Sequence, residues 1–228
     1  MQITHDVLST AVRPPDFRMA ARRHGRHFAR YLLAARQAKG TRVLDAACGS
    51  GFGAGYLAAT AQFVLGLDLD EEVLTHARTH YLAPNVRFDM HDLHEPLPAS
   101  HRPFDVLTCF ETLEHVRDPR LCLTNLAAAL CDQAVAFISV PNGAKELADQ
   151  ADKPYHQVHF TAAQFQQLLA GRFEQVEPFS EVYRKDWRHY LSRLIGQGRH
   201  HARNYAFTPG FDDRAKTWLA ICHRPIRP

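Results

Sequence analysis

Residues 43–53 read Val-Leu-Asp-Ala-Ala-Cys-Gly-Ser-Gly-Phe-Gly, an apolar run that ends in Asp45 and passes into a glycine-rich turn. Glycine tolerates positive φ and lets a ligand come close to the backbone. A helix opening after such a turn points unpaired N–H groups at an anion. Asp45 adds the opposite preference, since a carboxylate there repels a pyrophosphate and attracts a cation. The turn therefore suits a ligand carrying both charge signs, such as an amino acid joined to a nucleoside. Three further acids, Asp68, Asp92 and Glu111, fall at or a few residues past the ends of the next apolar runs. The rival reading is a dinucleotide turn, because Gly49, Gly51 and Ala54 fit G-x-G-x-x-A. Dinucleotide turns follow all-apolar strands, however, and Asp45 stands where that pattern has no acid.

A second group could handle protons. Glu111, Glu114 and His115 stand at i, i+3 and i+4, and on a helical turn they would share one face. An imidazole or carboxylate placed there could act as a general base toward a hydroxyl.

These residues need a frame. The spacing predicts one or two helices over 16–38, then strands at 42–46, 63–68, 86–88, 104–110, 134–140, 173–179 and 217–223. Helices are expected over 53–60, 71–81, 120–131 and 162–170, with a polar loop from the Pro141-Asn142-Gly143 turn to His159. Strands alternating with helices predict an α/β fold with a mostly parallel sheet covered on both faces. Ligands of such sheets bind beyond the carboxyl ends of the strands, where the four acids fall. The 228 residues suit one domain, and the net charge of +3 is too small to imply nucleic acid by itself. The five cysteines lack C-x-x-C spacing and read as free buried thiols in a reducing compartment. Without a signal-like N-terminus or a long apolar run, a cytoplasmic protein with no membrane span is expected.

Leu44-Asp45-Ala46-Ala47-Cys48-Gly49-Ser50-Gly51, Gly66-Leu67-Asp68-Leu69, Asp92-Leu93 and Phe104-Asp105-Val106-Leu107 together resemble the class I S-adenosylmethionine (SAM)-dependent methyltransferases. The resemblance implies a Rossmann-like, seven-stranded sheet whose last strand is antiparallel. It places Gly49 and Gly51 near the methionine part of SAM, Asp45 near its ammonium, and Asp68 on the ribose hydroxyls. Asp92 and Leu93 would flank the adenine, and Tyr31, Ala46, Leu69 and Phe110 are further expected neighbours of the cofactor.

Within that superfamily, Arg30-Tyr31, Glu111–Pro119, Val140-Pro141-Asn142 and 156–161 look most like small bacterial enzymes that methylate sugars, quinone precursors and related metabolites. The E-x-x-E-H pattern with a later histidine is also similar to the metal site of small-RNA 2′-O-methyltransferases. That implies a possible set of Glu111, Glu114, His115 and His156. Two carboxylates and two imidazoles suit Mn²⁺, Co²⁺, Fe²⁺ or Zn²⁺ better than Mg²⁺. Metal-free relatives carry the same motif, so His115 as a base and His115 as a packing residue stand beside the metal.

Residues 184–203 interleave Arg184, Lys185, Arg188, Arg193, Arg199 and Arg203 with aromatic residues. They read either as a substrate lid suited to a phosphorylated acceptor or as a solvated basic face. The expected organisation is one domain. It comprises an N-terminal helical cap over 1–38, a SAM-binding core over 39–183, a basic lid over 184–210 and the last strand within 211–228. The expected activity is O-methylation of a sugar, nucleotide-sugar, phenol or other glycan or small-molecule acceptor. An RNA 2′-O-methyltransferase, with nucleic acid the less favoured partner, and an inactive SAM-binding regulator are the alternatives.

Overall fold

A computed structural model describes residues 25–148, 156–184 and 202–227. Helix α1 (Gly25–Ala38) leads into strand β1 (Arg42–Ala46), helix α2 (Phe52–Leu57), β2 (Phe63–Asp68), α3 (Glu71–His80), β3 (Val86–Met90) and β4 (Phe104–Phe110). Then follow α4 (Pro119–Ala128), β5 (Leu130–Pro141), α5 (Gly143–Ala148), α6 (Ala162–Ala170), β6 (Phe173–Tyr183), β7 (Tyr205–Pro209) and β8 (Thr217–Pro225). The strands form one sheet in the order β3-β2-β1-β4-β5-β8-β6-β7. β1 to β5 run parallel, while β8 lies antiparallel between β5 and β6. The expected fold is therefore present, including the antiparallel last strand.

Two elements extend that expectation. β7 adds an eighth strand, pairing antiparallel with β6 at the sheet edge. It lies in the segment read as lid. The short helix α5 occupies part of the expected polar loop, because the Asn142 side chain accepts from the Ala144 and Lys145 N–H groups and starts a helical turn. Residues 16–24 of the expected N-terminal helices and 185–201 of the basic lid lie outside the described residues.

Both sheet faces are buried, so the inner strands are almost wholly apolar and alternate residues feed two cores. Leu44, Leu107, Ile138 and Trp218 pack into one cluster, and Val43, Val64, Val106, Phe137 and Leu219 into the other. The second face is the one α1 covers, through Phe28, Tyr31 and Leu33. By the same two-residue alternation Asp45, Thr108, Ser139 and Glu181 share that face with Val43, Val106, Phe137 and Phe179. Four polar side chains thus meet α1, which answers with Arg30 and Tyr31.

All five cysteines are free, as expected, and four of them are buried. Among the described residues no helix is long and apolar enough to cross a membrane.

At the turn after β1, Gly49 and Gly51 both have positive φ, 53° and 80°. A Cβ on Gly51 would lie 2.5 Å from the Ala77 Cβ and 3.0 Å from the Phe88 ring. Backbone strain and a clash with two core residues add together there. Gly51→Ala is expected to cost about 2–4 kcal/mol of stability, read from the denaturant midpoint. A loss below about 0.5 kcal/mol would show that the turn adapts.

Candidate active site

The carboxyl ends of β1, β2 and β4, together with the loop after β3, bring the expected acids to one edge of the sheet. Asp45 is buried beneath α1 and accepts hydrogen bonds from the Tyr31 hydroxyl at 3.0 and 3.2 Å and the Thr108 hydroxyl at 2.6 Å. Burial pushes its carboxyl up to about 7, while those two donors pull the other way. Tyr31 is fixed in turn by edge-on contact with Phe110 at 5.0 Å between ring centres. Ala46 follows, fully inside the first core.

The Asp68 carboxylate accepts the Gly49 N–H at 2.8 Å through one oxygen and the Asp70 N–H at 3.2 Å through the other. It therefore ties the glycine turn to the end of β2. Each carboxylate oxygen accepts two hydrogen bonds, so both retain capacity for a ligand. At Gly49 an added Cβ would meet nothing within 4 Å, so the turn faces open space there. Leu69, beside Asp68, is 62% exposed, a large apolar side chain left on this edge.

Asp92 accepts the His94 backbone N–H at 2.9 Å and its ring Nδ1–H at 2.7 Å. These bonds hold its carboxyl below the usual range. His94 Nε2 accepts the Asp118 N–H at 3.3 Å, which fixes the tautomer and joins the Asp92 loop to the start of α4. Sequence reasoning passed over His94; its signal was the Asx-turn spacing of two from Asp92. Leu93 is buried, its carbonyl held by the Asn125 side chain at 3.1 Å.

The Glu111–His115 turn departs from expectation. Glu111 has φ +52°, so the segment is no helix and the shared-face geometry does not arise. Its carboxylate turns toward α1 instead, 3.2 Å from Arg30 Nη1, and accepts the Ser139 hydroxyl at 3.2 Å. Arg30 itself is fully buried and donates to Glu181 at 2.8 Å and to Ser139 at 3.1 Å. The sequence alone offers it only in the Arg30-Tyr31 pair that enters the family resemblance, with no buried role.

Glu114 is 1% exposed, and its Oε2 has no hydrogen-bond partner among the described residues. Burial, then the neighbouring Glu111, raises its carboxyl well above the usual range. The His115 Nε2 lies 3.9 Å from the other Glu114 oxygen, and its ring stands edge-on to His156 at 4.6 Å. Glu114, His115 and His156 can each present one ligand atom within 4.8 Å of the others. Three of the four residues expected around a metal are thus brought together, while Glu111 is held by Arg30.

A donor and acceptor set of this kind fits a zwitterionic nucleoside ligand. It offers a buried carboxylate for a cation, an open turn for an anion and outward carboxylates for hydroxyl or amine donors. A family model described as "Methyltransferase domain" matches residues 19–177. A "Probable S-adenosylmethionine-dependent methyltransferase" of Mycolicibacterium smegmatis is 31% identical over 160 residues, covering 69% of this chain and 61% of that protein. A ubiquinone biosynthesis O-methyltransferase of Aromatoleum aromaticum is 37% identical over 105 residues, 45% of each chain. The chain therefore spans less than two thirds of the length of these curated relatives. The crystal structure of an S-adenosylmethionine-dependent methyltransferase from Mesorhizobium loti superimposes with a TM-score of 0.63 at 18% identity. That alignment covers 86% of this chain and 98% of the other, and it speaks for the fold.

Proposed function

The chain belongs to the methyltransferase-domain family, the class I SAM-dependent methyltransferases, and on that premise we propose that it methylates a hydroxyl on a small molecule or glycan intermediate. The observation that carries the cofactor half is the row of acids at successive strand ends, Asp45, Asp68 and Asp92, beside a turn with two positive-φ glycines. The likeness to ubiquinone biosynthesis O-methyltransferases supports oxygen as the methyl acceptor. In this reading the chain is one domain working in the cytoplasm.

SAM supplies a methyl group on a sulfonium that is its own leaving group, so the protein's part is alignment and proton removal. Asp45, oriented by Tyr31 and Thr108, would take the ammonium, and the Gly49–Gly51 turn the methionine carboxylate. Asp68 would accept the two ribose hydroxyls with its remaining lone pairs. Asp92, locked by His94, would accept the adenine amine, with Leu69 and Leu93 against the ring. Ala46 and Phe110 would line the floor. Glu111, steadied by Arg30 and Ser139, would orient the acceptor hydroxyl.

The hydroxyl proton would leave to the partly exposed His115. Its removal could instead be promoted by a divalent metal on Glu114, His115 and His156, a reading favoured by Glu114 Oε2, which has no partner among the described residues. A screen of sugars, nucleotide sugars, catechols and amines with methyl-labelled SAM, with and without added metal, tests both. Label on a hydroxyl acceptor is expected. Label only on amines would overturn the O-methylation reading, and transfer undiminished by chelators would remove the metal.

The Asp45 carboxyl also sets a pH dependence. Only its ionised form attracts the ammonium, and in the free protein that form is half populated near pH 7. As pH falls below this point, binding must first expel the proton. SAM affinity is then expected to fall about 25-fold from pH 7.5 to pH 5.5, with proton release visible in buffers of different ionisation enthalpy. Constant affinity over that range would show that Asp45 is ionised before the ligand arrives.

A further inference from the structure

Beyond the Glu111–His115 turn, a second convergence of ligand-type atoms lies where α5 meets the segment entering α6. Glu146 Oε2 is 2.9 Å from His156 Nδ1 and 3.4 Å from His159 Nδ1. Two imidazole nitrogens thus address one carboxylate oxygen, and one ligand atom from each residue lies within 4.8 Å of the others. For metal–ligand bonds of about 2.0–2.1 Å, neighbouring ligand atoms stand about 2.9 Å apart in an octahedron and about 3.3 Å apart in a tetrahedron. The 2.9 Å separation matches the octahedral value, and the 3.4 Å one lies within about 0.1 Å of the tetrahedral value.

The backbone is built to bring these side chains together. The Gly143 N–H donates to the Phe160 carbonyl at 3.0 Å, and a Cβ at Gly143 would lie 2.6 Å from the His159 carbonyl carbon. Only a glycine lets the first turn of α5 sit this closely on 159–160. From the other side, the Gln157 and Val158 N–H groups both donate to the Glu114 carbonyl, at 2.7 and 3.1 Å. The Glu146 and His156 side chains are each 7% exposed, whereas that of His159 is 33% exposed. Two ligands are shielded and the third borders solvent, which leaves a path for an ion and for the oxygens of a further ligand.

We infer that Glu146, His156 and His159 bind a divalent transition-metal ion. Two imidazoles and one carboxylate suit Zn²⁺, Co²⁺, Mn²⁺ or Fe²⁺, and three protein ligands leave positions for oxygen. His156 links this trio to His115, its ring 4.6 Å away, so the ion would stand beside the place assigned above to the acceptor hydroxyl. That last use rests on the O-methylation reading. Binding itself does not.

The test is titration of the full chain with Co²⁺, followed by its visible d–d absorption and by metal content after dialysis. SAM binding is measured on each variant to confirm a folded cofactor site. Wild type should take up one Co²⁺ per chain. Glu146→Gln and His159→Asn should each weaken that uptake by about tenfold or more, while His115→Asn keeps it within about threefold. No uptake by wild type, or uptake lost in His115→Asn and kept in His159→Asn, would overturn the inference. Cobalt uptake without SAM binding would instead overturn the methyltransferase reading and leave the metal site standing.

Discussion

Replacement of Asp68 by alanine is expected to weaken SAM binding several hundredfold. Its carboxylate would lose two charge-assisted hydrogen bonds to the ribose, each worth about 1.5–3 kcal/mol. A loss of about 3.5 kcal/mol is roughly several hundredfold in dissociation constant. A second effect adds to the first, since Asp68 also holds the Gly49 N–H at 2.8 Å and so shapes the turn proposed to face the methionine carboxylate. Asp68→Asn keeps one acceptor oxygen but no charge, and should fall between the two. Asp68 is only partly buried, so the fold should survive both changes. Calorimetry with SAM or its demethylated product reads the effect, and an affinity within threefold of wild type in the alanine variant would remove Asp68 from the cofactor site.

The second large effect concerns stability. Arg30→Met is expected to cost about 3–5 kcal/mol, because it leaves Glu181 and Glu111 buried or half-buried without their cation. Burial disfavours the Arg30 charge, but Glu111 and Glu181 more than offset that and hold the guanidinium charged. Arg26 would still reach Glu181 at 3.0 Å, though from a more exposed position. For a chain of this size the melting temperature should drop by roughly 10 °C or more. Adding Glu181→Gln to the Arg30→Met variant should recover part of the loss, since the stranded charge goes with it. Unchanged stability in the single variant would mean that the cluster contributes nothing net.

The parallel core was legible because doubly buried strands are continuous apolar runs punctuated by acids. β1, β2 and β4 begin and end as the runs of Arg42–Ala46, Phe63–Asp68 and Phe104–Phe110 do. β7 was not, because among the described residues Tyr205–Pro209 pairs on one side only, with β6, and its short mixed composition carries no alternation. α5 hid behind Pro141-Asn142-Gly143, a turn sequence that here serves as a helix start. Asp45, Asp68 and Asp92 were legible as site candidates since each ends or follows a strand. Their supports were not: Arg30 meets Ser139 and Glu181 across 109 and 151 residues of chain, distances no local pattern spans. The Glu111 turn went wrong for a local reason, as positive φ in a non-glycine residue is invisible in an E-x-x-E-H spacing. Glu146 went unread, and His159 enters only through the 156–161 motif, because their meeting depends on the missing side chain of Gly143.

The central claim, that this sheet edge holds SAM, is tested most directly by titrating the purified chain with SAM, its demethylated product and NAD in the calorimeter. One SAM per chain, competed by the demethylated product and not by NAD, is the predicted result. Tight NAD binding with no response to SAM would contradict it and restore the dinucleotide reading of the glycine turn.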